Sequence, residues 1–140
     1  MCLKVLDIFR WWELRRTHFN LYTSELVLLE AGRGNPEAAK RRINSLKDIP
    51  LLPITDAVKA LALFLVERHA VPEKSNADAI HIATAAVHGI DYLLTWNCTH
   101  IDNAETKPIM RSICADKGHK CPEICTPLEL MGEENGRDYF

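Results

Sequence analysis

No apolar run in this chain is long enough to span a bilayer, and no charged, apolar and small-residue leader pattern opens it. A helical membrane anchor or secretory leader is therefore not expected. A surplus of positive charge is also missing: 17 Lys and Arg stand against 19 Asp and Glu, for a formal net charge of −2. That balance argues against a broad, tight nucleic-acid footprint. It does not argue against a nuclease, whose site is itself acidic and is partly neutralised by bound cations. The five cysteines are an odd number, and Cys121 and Cys125 have no second tight pair elsewhere. Without secretory features, they predict a reduced, cytoplasmic setting. Internal repeats and low-complexity tracts are absent.

What is present is ordinary for a globular domain: 140 residues, 47% hydrophobic and 26% charged. One domain over residues 1–132 is expected, with a polar tail over 133–140. Residues Met1 to Phe19 hold no proline or glycine, and Val5, Ile8, Phe9 and Trp12 fall at helical spacing. A helix over about residues 3–17 follows, with Trp11 and Trp12 as core and helix contacts. A competing reading makes Leu3 to Leu6 a strand ending at Asp7. Asn20 to Thr23 is a short candidate strand, and Thr23 or Ser24 can cap the next helix. Glu30 lies one to two turns into that helix, on a largely apolar stretch that Gly32 and Gly34 end. On local grounds alone it is a surface glutamate. Asn35 and Pro36 open another helix, to about Lys47. Leu51 to Ile54 reads as a strand that Pro53 confines to a sheet edge. Thr55 caps a strongly apolar helix to about His69, and Pro72 closes it. Strands alternating with helices predict an α/β domain with a mainly parallel sheet flanked by helices.

The most informative stretch is Asn76 to His100. Asp78 opens an alanine-rich helix that runs to His88, and Gly89 is a natural stop, because it takes positive φ without steric cost. Tyr92 to Thr95 predicts a strand buried on both faces. Thr95, Asn97 and His100 then place polar groups at the strand's carboxyl end, where ligand sites in α/β sheets collect. Asp78 also has a local explanation, since Ser75 and Asp78 have capping-box spacing. The helix dipole favours negative charge at that position in either case. Ionised oxygen ligands there suit Mg2+ or Mn2+. His100 is equally a loop histidine bonded to nearby backbone. Pro108 opens a helix to about Lys117, Glu123 to Thr126 forms a last strand, and Pro127 to Met131 a helical turn. The basic clusters, Arg10, Arg15 and Arg16, then Arg33, Lys40, Arg41 and Arg42, are read as solvated helix faces before phosphate contacts. Cys114, His119, Cys121 and Cys125 match no standard zinc spacing. His81 and His88 are expected as bonded or exposed helix residues, and Gly32-Arg33-Gly34 is too short for a phosphate loop.

The order of these motifs resembles the PIN-domain family. The residues that carry the likeness are Asp78-Ala79 with its alanine-rich helix, and Thr95-Trp96-Asn97 at a strand end. Thr23-Ser24, Glu30 and Thr126-Pro127-Leu128-Glu129-Leu130 extend it over most of the chain. The resemblance implies a PIN-like fold and a toxin ribonuclease of VapC type, cutting RNA with Mg2+ or Mn2+. It further implies a partner antitoxin and a homodimer. On that pattern Glu30 and Asp78 are metal-site acids, Asn97 completes the site's corner with Thr95 in support, and His100 stands where relatives carry an acid. The family also opens with a central strand ending in its first acid. Matching Trp11-Trp12, Thr23-Ser24 and Glu30 to the pattern starts this chain inside the helix after that strand. Three readings stand: a truncated or mis-started chain, a degenerate relative that binds without cutting, or Met1 to Asp7 as the strand with Asp7 as the first acid.

Overall fold

A computed structural model of the chain describes residues 12–95 and 103–130. Within them the elements run β1 (Thr23–Ser24), α1 (Glu25–Ala31), α2 (Pro36–Leu46), β2 (Leu51–Leu52), α3 (Asp56–Glu67) and α4 (Asn76–Val87). Then come β3 (Tyr92–Leu94), α5 (Lys107–Asp116) and β4 (Glu123–Cys125). Short 3-10 turns lie at Arg16–His18, Glu73–Ser75 and Leu128–Leu130. Residues 12–14 are helical, the end of the predicted N-terminal helix. The rest of that helix, the competing strand and Asp7 lie outside the described residues, as does the 133–140 tail.

The predicted parallel pairing is present, but in two separate two-stranded sheets among the described residues. β1 pairs with β2, with Thr23 opposite Leu51 and Ser24 opposite Leu52. β3 pairs with β4, from Tyr92 opposite Glu123 to Leu94 opposite Cys125. The expectation that β3 is buried on both faces is corrected here. Tyr92 is 48% exposed, and Leu93 and Leu94 are only half-buried. A two-stranded ribbon shelters each strand less than the interior of a wide sheet does. The Phe19 ring meets Tyr92 edge-on, with centroids 6.1 Å apart, and links the approach to β1 with the start of β3.

The core lies between α3 and α4. Val58, Leu61 and Leu65 of α3 face Ala79, Ile82, Ala83 and Ala86 of α4. Met110, Ile113 and Cys114 of α5 and Ile124 of β4 complete it. The alanines recur at helical spacing and let the helices approach closely. Full burial of a side chain such as Leu65 or Ile82 contributes about 1.5–3 kcal/mol.

The helix starts follow the sequence. The side chains of Ser24, Asn35 and Thr55 accept hydrogen bonds from the N–H groups of Val27 (3.2 Å), Ala38 (3.1 Å) and Val58 (3.3 Å). The ends of α3, α4 and α5 share one device, a left-handed residue just past the helix that turns two N–H groups back onto its last carbonyls. In α4 Gly89 takes φ +69°, and Gly89 and Ile90 donate to Ala86 and Ala85 at 3.2 and 2.9 Å. In α3 the same place is held by His69 at φ +61°, with His69 and Ala70 donating to Val66 and Leu65 at 3.1 and 3.0 Å.

A histidine at that φ pays a steric cost that glycine does not. We expect His69→Gly to stabilise the protein by about 0.5–1 kcal/mol. Gly89→Ala has the opposite expectation, a loss of about 1–2 kcal/mol, although nothing lies within 4 Å of the added Cβ. Urea unfolding midpoints that move in the same direction for both variants would contradict this account.

Candidate active site

Two helices carry the candidate acids, and a contact joins one acid to the helix that bears the other. Ser24 caps α1 and fixes its start, and Glu30 comes near its end. Asp78 stands in the first turn of α4, half-buried, with His81 one turn further on. Side chains three apart on a helix lie on the same side. The Glu30 carboxylate bonds to the His81 ring through Oε1 and Nε2. The His81 side chain is 16% exposed and that of Glu30 is 40% exposed, so the pair sits at the surface rather than in the core. The contact thus joins Glu30 to a residue three positions after Asp78 on α4.

The local explanation of Asp78 is only half available. Ser75 is the N-cap of α4, but its side chain makes no capping hydrogen bond. The 3-10 turn Glu73–Ser75 leads directly into the helix instead. Beyond β3, Thr95 is nearly buried, and its N–H donates to the Cys125 carbonyl at 2.9 Å. The β3–β4 ladder is thus carried to the residue that opens the predicted corner. Asn97 and His100 lie outside the described residues.

Glu30 and Asp78 supply hard oxygen donors, and their partial exposure leaves room for water. This set fits a divalent ion such as Mg2+ that keeps much of its hydration. Among the described residues no three His, Cys, Asp or Glu side chains converge into a fuller metal cage. The same finding removes the zinc grouping of Cys114, His119, Cys121 and Cys125 among these residues.

Three residues of the basic clusters, Arg15, Arg16 and Arg42, make structural contacts. Arg42 donates to the Ala31 carbonyl at 2.9 Å and the Arg33 carbonyl at 2.5 Å, closing the end of α1. Arg15 donates to the Leu130 carbonyl at 3.1 Å, and Arg16 lies over the Trp12 ring at 4.5 Å. His88 bonds through Nε2 to the Pro53 carbonyl at 2.8 Å, as a bonded helix histidine.

The sequence model of the PIN domain matches residues 6–97, about two thirds of the chain. The chain belongs to the PIN-domain family. No curated protein and no solved structure matches it. A PIN domain is a nuclease-type fold and generally depends on a divalent metal. The matched span takes in Glu30, Asp78 and His81 and ends at Asn97. No helix among the described residues is long and apolar enough to cross a membrane.

His81 is the residue that the sequence left without a role. Its partner is 51 positions away, so no local pattern marks the contact. The available signal was its place one turn after Asp78 on the same helix face. If His81 orients Glu30, His81→Ala will fold normally and bind Mn2+ roughly 10- to 100-fold more weakly, as removal of a partner to a metal ligand does. Titration followed by the Mn2+ electron paramagnetic signal tests this, and unchanged affinity in a folded variant removes the role.

Proposed function

We propose that this PIN domain is a Mg2+- or Mn2+-dependent ribonuclease of the VapC toxin type, hydrolysing RNA phosphodiester bonds. The observation that carries the reading is the Glu30–His81 contact, which sets one candidate acid beside the helical turn that bears the other. Members of the family generally bind RNA and often pair with antitoxins. An antitoxin partner and a homodimer belong to this proposal.

Glu30 and Asp78 would hold the ion. A bound divalent ion supplies Lewis-acid chemistry, acidifying water and offsetting charge on the phosphate. His81 holds the Glu30 carboxylate in one orientation and limits its rotamers. The first turn of α4 presents Asp78 where unsatisfied backbone N–H groups favour an anion. The β3–β4 ladder fixes Thr95, and through it the start of the corner where Asn97 would position water or phosphate. His100 would contact phosphate or take a ligand position.

A second reading is a catalytically inactive PIN module that binds an antitoxin or its own copy. It is favoured by one fact: among the described residues Glu30, Asp78 and His81 do not close a three-ligand cage. The two readings differ in chemistry, not in fold.

Incubation of a mixed, labelled RNA pool with the 140-residue chain in Mg2+ or Mn2+ separates them. The ribonuclease reading expects metal-dependent cutting that EDTA stops and that Asp78→Asn lowers by about 100-fold or more, in line with loss of charge stabilisation at a metal site. Asp78→Asn should also lose Mn2+ binding while remaining folded. No cutting by the folded chain, with antitoxin binding retained, establishes the inactive module instead.

A further inference from the structure

Charge is spread unevenly along the chain. Residues 31–47 carry five of its 17 Lys and Arg and one acid, Glu37, although the chain as a whole has a formal net charge of −2. The fold uses one of the five. The Arg42 guanidinium binds the Ala31 and Arg33 carbonyls and fastens the corner between α1 and α2. Gly34, at φ +87°, turns the chain there, and the Asn35 side chain caps α2. Arg33, Lys40, Arg41 and Lys47 are exposed, and among the described residues none of their side chains makes an ion pair or a hydrogen bond. Other cations, by contrast, are engaged. Arg68 pairs with Asp116 at 3.3 Å, Arg111 with Glu123 at 3.8 Å, and Lys107 donates to the Ile124 carbonyl at 2.9 Å.

The four unengaged cations begin just past one of the candidate acids. Arg33 follows Glu30 by three residues, and its N–H donates to the Glu30 carbonyl at 3.2 Å. Lys40 on α2 and Lys47 at its C-cap lie two turns apart on one row, about 10 Å along the axis, with Arg41 next to Lys40. A carboxylate site repels a phosphodiester, and cations on its flank offset that repulsion. We propose that Arg33, Lys40, Arg41 and Lys47 form a track for the phosphate backbone of RNA, running from the Glu30 end of the candidate site along the outer face of α2. The track rests on the proposal that RNA is this domain's ligand. It meets phosphates and leaves the bases unread, so it holds RNA without regard to sequence. Positive charge gathered at one corner also lets a chain of net negative charge bind a polyanion.

The test is binding of short fluorescein-labelled RNAs to the full 140-residue chain, read by anisotropy in EDTA so that nothing is cut. Two RNAs of unrelated sequence should bind equally. On a single-stranded backbone each cation contact contributes about 0.7 to the slope of log affinity against log salt. The four together should give a loss of affinity of roughly 50-fold between about 50 and 200 mM salt. Arg33→Gln, Lys40→Gln, Arg41→Gln and Lys47→Gln should each lower the slope by about 0.7 for both RNAs, and the fourfold variant by about 2.8. Glutamine is a good helix former and Arg42 stays in place, so circular dichroism should not change. Lys59→Gln and Lys120→Gln remove exposed charges on other parts of the surface and should leave the slope as it is.

The proposal is overturned if the folded fourfold variant keeps the affinity and salt slope of the parent, or if the two control substitutions lower the slope as much. A folded chain that binds neither RNA at about 50 mM salt overturns it as well. Binding of a poly-glutamate peptide through these four residues, with no RNA bound, assigns the face to an acidic protein partner and overturns it too. Because binding is read without cutting, the track and the ribonuclease fail separately. RNA held by these residues in a chain that never cuts in Mg2+ or Mn2+ supports the track and removes the ribonuclease. Metal-dependent cutting that the fourfold variant performs with unchanged KM removes the track and leaves the ribonuclease.

Discussion

The close packing of α3 on α4 sets where the candidate site can be. Ala79, Ile82, Ala83 and Ala86 form the buried stripe of α4, and their spacing leaves little freedom in how the helix is turned. Asp78 and His81 each precede a member of that stripe by one residue. Burying the alanine face therefore turns Asp78 about 90° and His81 about 150° around the helix from the centre of that stripe. Small side chains make that rotation strict, because close helix contact leaves no slack for a different roll. Glu30 reaches the His81 side of α4 from α1. The chemistry of the site thus depends on an apolar interface that contains none of its acids.

The connections between layers are governed by the helix ends. Each of α3, α4 and α5 terminates in a left-handed residue that turns the chain sharply and satisfies the last carbonyls. After α4 this sends the chain into β3, and so to Thr95. After α5 it sends the chain back past Cys114 before β4 begins. Position, not only propensity, decides the cost of these turns. Gly89 and Gly118 meet the requirement freely, whereas His69 meets it against its own Cβ and is held there by the buried Ala70 and Val71 that follow. Strain at His69 is tolerated because the core retains the next two residues.

What could be read from the sequence was mostly local. Asn35, Thr55 and Gly89 announced their helix ends because a cap or stop depends on a few adjacent residues. The two short parallel pairings followed from the alternation of elements. Properties that depend on distant residues were not legible. Tyr92 reads as part of a buried strand, yet β3 lies in a two-stranded ribbon and Tyr92 is substantially exposed. Arg42 reads as part of a basic helix face, yet its guanidinium closes the end of α1. His69 carries no mark of positive φ, since nothing about histidine calls for it. Of the candidate site, Glu30 and Asp78 were suggested by the family pattern, while His81 needed the contact between α1 and α4.

That contact bears on how much of a site these residues make. An ion pair or hydrogen bond between partly exposed side chains contributes about 0–1 kcal/mol, and ordering a glutamate side chain costs up to about 1.5–2 kcal/mol. Fold stability therefore gains little or nothing from holding Glu30 against His81. What the contact changes is direction: a carboxylate that would sweep through solvent is fixed toward the turn of α4 that presents Asp78. The capping explanation for Asp78 is weakened in the same place, because the Ser75 hydroxyl does not cap the helix. The Glu30 carboxylate is held at a contact that adds little to stability, on the side of α4 that bears His81, and this is what motivates the proposal of a shared ligand. For a PIN domain, the ligand that this donor set fits is a hydrated divalent cation.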